Sequence, residues 1–202
     1  MDPATKESLN RARQITLIHY KPSAFEVPPN QMGMMFGVIG AAVAGLAAES
    51  RGQQMVQQYD LRDPILHVKE RFAARVLSDF ANIKLTDISE PFKDDDIDDM
   101  KEKFVEGNIL DFQTIRWGVV GQPFSGNSYI KYQGRVRLID VHNASVLWQG
   151  VCDLEDRDLY TMPDSTERNS SEGNILRAKF ENLGGQCLER LISQFSAVDP
   201  AE

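Results

Sequence analysis

Between residues 109 and 154, three segments alternate apolar and polar side chains with little chain between them. No other feature narrows the fold as much. Residues 129–141 put Ile130, Tyr132, Val136 and Leu138 on one face and Lys131, Gln133, Arg135 and Arg137 on the other, the pattern of a half-buried strand. Residues 109–120 place Ile115, Trp117 and Val119 together, and residues 145–154 place Val146, Trp148, Gly150, Cys152 and Leu154 together. Connections this short join antiparallel neighbours, so the three segments are expected to form a meander. An earlier β-branched run, residues 14–20, stops at Lys21-Pro22 and reads as another strand, with a short one over 82–88.

Two segments carry the period of a helix instead. Asp63-Pro64 supplies a capping carboxylate followed by proline at the first helical position. Ile65, Val68, Phe72, Val76 and Phe80 then form one apolar stripe, with Lys69, Glu70, Arg71 and Arg75 on the charged back. From about residue 174 to 195, Leu176, Phe180, Leu183, Cys187, Leu191 and Phe195 form a second stripe. The acidic run 94–99 opens a short helix ending near Phe104, where carboxylates meet the positive end of the helix dipole. That run lacks the glycine turn of a calcium loop.

These elements predict an α/β (α+β) domain over residues 1–202. A mixed or antiparallel sheet of four to five strands would carry helices packed on it. Residues 1–13 and 197–202 are expected to be flexible, and residues 156–173 to form a polar loop. A chain of 202 residues with 42% apolar side chains buries one core of ordinary size. Its 22 Lys and Arg against 30 Asp and Glu leave a formal charge of −8, which repels nucleic-acid backbones and anionic headgroups. Nucleic acid is therefore not an expected partner. Residues 1–14 are polar and charged, so no export signal stands there; the start is native, or a signal once preceded it.

Residues 32–48 are uncharged and rich in Gly, Ala and Val. Seventeen residues stand at the lower limit of the roughly 17 to 25 that cross a bilayer as a helix. As a helix the segment would align Gly33, Gly37 and Gly40 on a smooth edge. That edge suits packing within the domain, against a second copy, or against a partner or membrane.

The residues that could carry chemistry are few. Asp140 and His142 lie two apart on one strand and share a face, which invites a hydrolase using them with a loop serine. The chain holds no G-x-S-x-G elbow and no phosphate-cradling glycine motif, and a carboxylate beside a hairpin turn more readily accepts turn N–H bonds. His19 is alone at a strand end, without a second ligand at metal spacing. No metal or other cofactor is expected. Trp117 and Trp148 read as core, and Arg116, Arg135 and Arg137 as a solvated strip on the outer sheet face. Cys152 and Cys187 both fall on apolar faces and would bond if their Cα atoms lie within about 4.4 to 6.8 Å; otherwise each is a buried thiol.

Two stretches resemble a known pattern. Residues 104–112 contain Gly107-Asn108-Ile109-Leu110-Asp111-Phe112, similar to a strand "G-x-I-x-x-F". Residues 136–150 contain Arg137-Leu138-Ile139-Asp140 and, after the turn Asn143-Ala144-Ser145, Val146-Leu147-Trp148, similar to a hairpin "R-L-I-D-x-x-T-G-x-V-L-W". The pattern is that of a periplasmic lipoprotein group with an anticodon-binding-domain-like α/β sandwich. It includes the curli-export channel family, lipoprotein activators of penicillin-binding proteins and a Pel-polysaccharide accessory lipoprotein. The likeness spans about half the chain, and its motifs are structural. It implies an exported, non-enzymatic accessory lipoprotein of the bacterial envelope, periplasmic and anchored to the outer membrane, acting on a protein partner and able to form homo-oligomers. Membrane contact would come through a lipid anchor outside this chain or through residues 32–48. The alternatives are a cytoplasmic address and a small hydrolase built on Asp140 and His142.

Overall fold

The computed structural model describes residues 3–28, 37–78, 80, 83–104, 107–121, 128–160 and 170–197. In chain order the elements are α1 (Pro3–Arg11), β1 (Gln14–His19), α2 (Gly37–Gln58), α3 (Pro64–Val76), β2 (Lys84–Asp87), α4 (Ile97–Lys103), β3 (Asn108–Gly121), β4 (Ser128–Asp140), β5 (Ser145–Tyr160) and α5 (Ser170–Ser196). They form one mixed five-stranded sheet of order β2-β1-β3-β4-β5, an α/β fold. The meander β3-β4-β5 is antiparallel as its spacing predicts. The N-terminal strand β1 is inserted between β2 and β3, parallel to both.

Period two sorts the strand residues onto two cores. Ile15 and Leu17 of β1, Leu110 and Phe112 of β3, and Val136 and Leu138 of β4 face α3 and α5. Their neighbours Ile18, Ile109 and Ile139 face the other way, with Tyr20, Val141 and Met100 of α4. The α5 stripe from Leu176 to Phe195 is buried along its length. Each Leu or Phe so removed from water contributes roughly 1.5 to 3 kcal/mol. The α3 start is as read: Asp63 caps it by accepting from Ile65 N at 3.0 Å, with Pro64 next.

Several expectations are corrected. Residues 3–11 are the helix α1, tied down because Leu9 is fully buried and Thr5 Oγ1 donates to Leu147 O at 2.9 Å. The α3 helix stops at Val76, and Phe80 sits in the turn beyond, where its N–H donates to Leu77 O. The polar loop is shorter than 156–173, because β5 runs to Tyr160 and α5 begins at Ser170; residues 161–169 lie outside the described residues. In β3 the pairing register shifts between Thr114 and Arg116, and this bulge turns Ile115 outward to 40% exposure while Trp117 and Val119 stay in the core. A second shift, where Leu138 pairs with Trp148 and Ile139 with Val146, likewise leaves Val146 exposed.

Beyond β1 the chain continues along the same edge of β3, in parallel. Glu26 N donates to Trp117 O at 2.9 Å and Val119 N donates to Glu26 O at 2.8 Å. This approach needs glycine at 118, where φ is +149° and a Cβ would fall 2.3 Å from Glu26 O.

Candidate functional site

Among the described residues three polar clusters lie inside the molecule, and Lys69 and Arg137, assigned to solvent from sequence, belong to them. Lys69, expected on the back of α3, is buried and reaches the carboxyl ends of β1 and β2. Its Nζ donates to Asp87 Oδ1 at 2.6 Å, to Ile88 O at 3.3 Å and to His19 Nδ1 at 3.2 Å. An ammonium only donates, so His19 Nδ1 accepts and the ring proton belongs on Nε2. Burial, and then the Lys69 charge, hold the His19 pKa below its ordinary value.

On the opposite face Arg137, expected in a solvated strip, is buried against Asp111. Asp111 is fully enclosed. Its Oδ1 accepts from Arg137 N at 3.0 Å, and its Oδ2 accepts from Arg137 Nε and from the Tyr20 hydroxyl, each at 2.8 Å. Burial, followed by the Asp111 charge, pushes the Tyr20 phenol upward. Arg137 also donates to Asp95 O at 2.9 Å, and Arg135 donates to Asp95 Oδ2 at 2.7 Å. The hydrogen bond from Arg135 is the main reason the Asp95 carboxyl lies low. Arg116, the third member of the expected strip, pairs with Glu26 at 2.6 Å.

The third cluster surrounds the start of α3. Asp63 Oδ1 accepts from Ile65 N and from the Thr114 hydroxyl, while Asp63 Oδ2 and the Tyr132 hydroxyl are buried without a hydrogen bond. Burial pushes Asp63 up to about 6, against the lowering effect of those two bonds, and burial pushes the Tyr132 phenol upward as well.

The residues singled out from sequence do not assemble into a reactive centre. Asp140 is engaged at the hairpin turn, accepting from Asn143 N at 3.2 Å and from Asn143 Nδ2 at 2.8 Å; His142 lies in that turn. Open grooves on the described surface include two of note. One, of about 520 Å³, lies between α3 and α5 and is lined in part by Leu66, His67, Glu70, Arg177 and Glu181. The other, of about 720 Å³, lies beside α4 and is lined in part by Phe92, Lys93, Asp99 and Lys103. Neither contains Asp140 or His142. No group of three His, Cys, Asp or Glu side chains gathers at metal-ligand distance among the described residues.

Cys152 of β5 and Cys187 of α5 form a disulfide with Cα atoms 5.4 Å apart, and both residues are fully buried. Gly37 and Gly40 fall in α2, whereas Gly33 lies outside the described residues. No described helix is long and apolar enough to cross a membrane. Sequence reasoning missed Asp111, Thr114 and the inward turn of Lys69. A faint signal existed for Asp111, a charge at a buried position of a strand whose neighbour carries Arg137.

The fold and these clusters define a class: an α/β protein with a mixed five-stranded sheet and polar clusters buried on its faces. No protein-family model matches the chain, and no curated protein is similar to it. Among solved structures it is similar to lipoprotein GNA1162 from Neisseria meningitidis, at 14% identity over 86% of this chain and 98% of that one, with a TM-score of 0.27. It is similar to the hypothetical protein CT253 from Chlamydia trachomatis, at 11% identity over 91% and 97% with a TM-score of 0.37. It is also similar to the PelC dodecamer from Paraburkholderia phytofirmans, at 11% identity over 94% and 91% with a TM-score of 0.35. At such identities and TM-scores nothing about activity passes from those proteins to this one.

Proposed function

We propose that this chain is an exported, non-enzymatic accessory protein of the bacterial cell envelope that works by binding protein partners. The observation that carries the reading is the buried Cys152–Cys187 disulfide, because such bonds form and persist in oxidising compartments and are rare in the cytosol. The strand and hairpin resemblance around Gly107–Phe112 and Arg137–Trp148 supports the same address. The non-enzymatic part draws support from the polar groups themselves. Lys69, Asp111 and Arg137 are held by internal partners, and Asp140 is held by its own turn, which leaves the hydrolase reading without a positioned pair.

Thiol titration of the unreduced, denatured protein tests the address. No reactive sulfhydryl is expected, and two per chain would overturn the exported reading. The Gly37 and Gly40 edge of α2 is the proposed contact for a second copy or a partner helix, with packing rather than charge as the source of affinity. Gly37→Leu is expected to weaken self-association while the melting temperature holds. Unchanged assembly with a lowered melting temperature would instead assign that edge to internal packing.

A further inference from the structure

β5 is the outermost strand on its side of the sheet and spans 16 residues. Long edge strands offer unpaired N–H and C=O groups to other chains, and here side chains occupy the outward groups at Val151, Asp153 O and Leu147 O. Gln194 of α5 lays its amide against Val151: Oε1 accepts from Val151 N at 3.1 Å and Nε2 donates to Val151 O at 3.0 Å. Arg190 Nη1 donates to Asp153 O at 2.9 Å, and Thr5 of α1 covers Leu147 O at the other end. A primary amide presents a donor and an acceptor side by side, as a peptide group does. Gln194 therefore stands where a neighbouring strand would stand.

We propose that Gln194 and Arg190 form a removable guard over a strand-docking edge, and that the strand this edge accepts is β5 of a second copy, antiparallel about Val151. Val151 directs both its N–H and its C=O outward, which is what a two-fold antiparallel pair requires at its centre. Over the regular stretch 148–154 of β5 that register sets Gln149 opposite Asp153, so no like charges oppose one another there. On the side facing the helices it sets Trp148 opposite Leu154 twice, a favourable aromatic–aliphatic cross-strand pair. The guard side chains are exposed on α5, while Leu191 and Phe195 beside them are buried and hold the helix in place. The guard can thus open without dismantling the core. This inference goes beyond the accessory reading and is independent of the compartment.

The test is the double variant Arg190→Ala, Gln194→Ala, compared with the parent by sedimentation velocity and circular dichroism. A folded double variant with twice the sedimenting mass of the parent is expected. Adding Val151→Pro, which removes the outward N–H while leaving the bonds to β4, should return that mass to the parent value. A folded double variant of unchanged mass, or a doubled mass that survives Val151→Pro, would overturn the proposal. Amide exchange in the parent supplies a measurement that needs no variant. The Val151 amide should exchange at least about tenfold more slowly than the unguarded Gln149 amide, since a protected N–H exchanges only on local opening, and equal rates would also overturn the proposal.

Discussion

Asp63 and Asp111 are both nearly closed off from solvent, on opposite faces of one sheet, and the protein treats them in opposite ways. Asp111 is met by the guanidinium of Arg137, the Arg137 N–H and the Tyr20 hydroxyl. A buried ion is thereby compensated by a counter-ion and by hydrogen bonds to both oxygens. Asp63 is met only by dipoles, one N–H and one hydroxyl, and its second oxygen has no partner. Its pKa rises to about 6 as a result. Burial alone does not determine how a carboxylate behaves; the presence of an opposite charge at contact distance does.

Breaking the compensated site should have the largest effect. Asp111→Ala leaves the Arg137 charge buried without its carboxylate, and removing one member of such a pair typically costs about 3 to 5 kcal/mol. Chemical denaturation measures it, and a loss below about 1 kcal/mol would mean that Arg137 turns out to solvent. The comparison sharpens if Asp111→Leu is combined with Arg137→Met. Replacing both charges by apolar groups is expected to recover most of the loss, so a double variant no more stable than either single one would point to packing instead.

The dipole-compensated site should show itself through pH. Asp63 has an ordinary value of 3.8 when unfolded and about 6 when folded. The native state therefore binds the extra proton between these values, and the stabilisation it brings is complete below about 4 and lost as pH rises through about 6. At 1.36 kcal/mol per unit this amounts to about 3 kcal/mol. The stability of the parent relative to Asp63→Asn, which keeps a capping acceptor, should fall by that order between pH 4 and 7. A difference that is flat with pH would show that Asp63 is not in a dry site.

The smallest effect is expected at His19, and its sign is reversed. A histidine whose folded pKa is depressed contributes stability that is present above the ordinary 6.5 and lost as pH falls below it. His19→Gln should reduce the loss of stability between pH 6.5 and 5. A parent and variant that weaken in parallel would remove His19 from the account.

The sequence by itself determined what depends on neighbours close along the chain. The Asp63-Pro64 start of α3, the α5 stripe and the hairpin turn at Asp140 and Asn143 each follow from spacing or capping within a few residues. The meander β3-β4-β5 followed because short connections leave antiparallel pairing as the simple solution. Only the tertiary structure decided the insertion of β1 between β2 and β3, since the partners Ile15 and Asn108 are distant in sequence and parallel pairing leaves no turn to read. The same holds for the Tyr20–Asp111–Arg137 cluster, whose members come from β4, β3 and the end of β1. Lys69 could be read as solvated from helical period alone, until the carboxyl ends of β1 and β2 brought His19, Asp87 and Ile88 O around it. The bulge at Ile115 defeated the two-residue alternation for a related reason. The shift lies in the pairing of β3 with β4, between Thr114 and Arg116, and a register that depends on a partner strand leaves no trace in the pattern of a single strand.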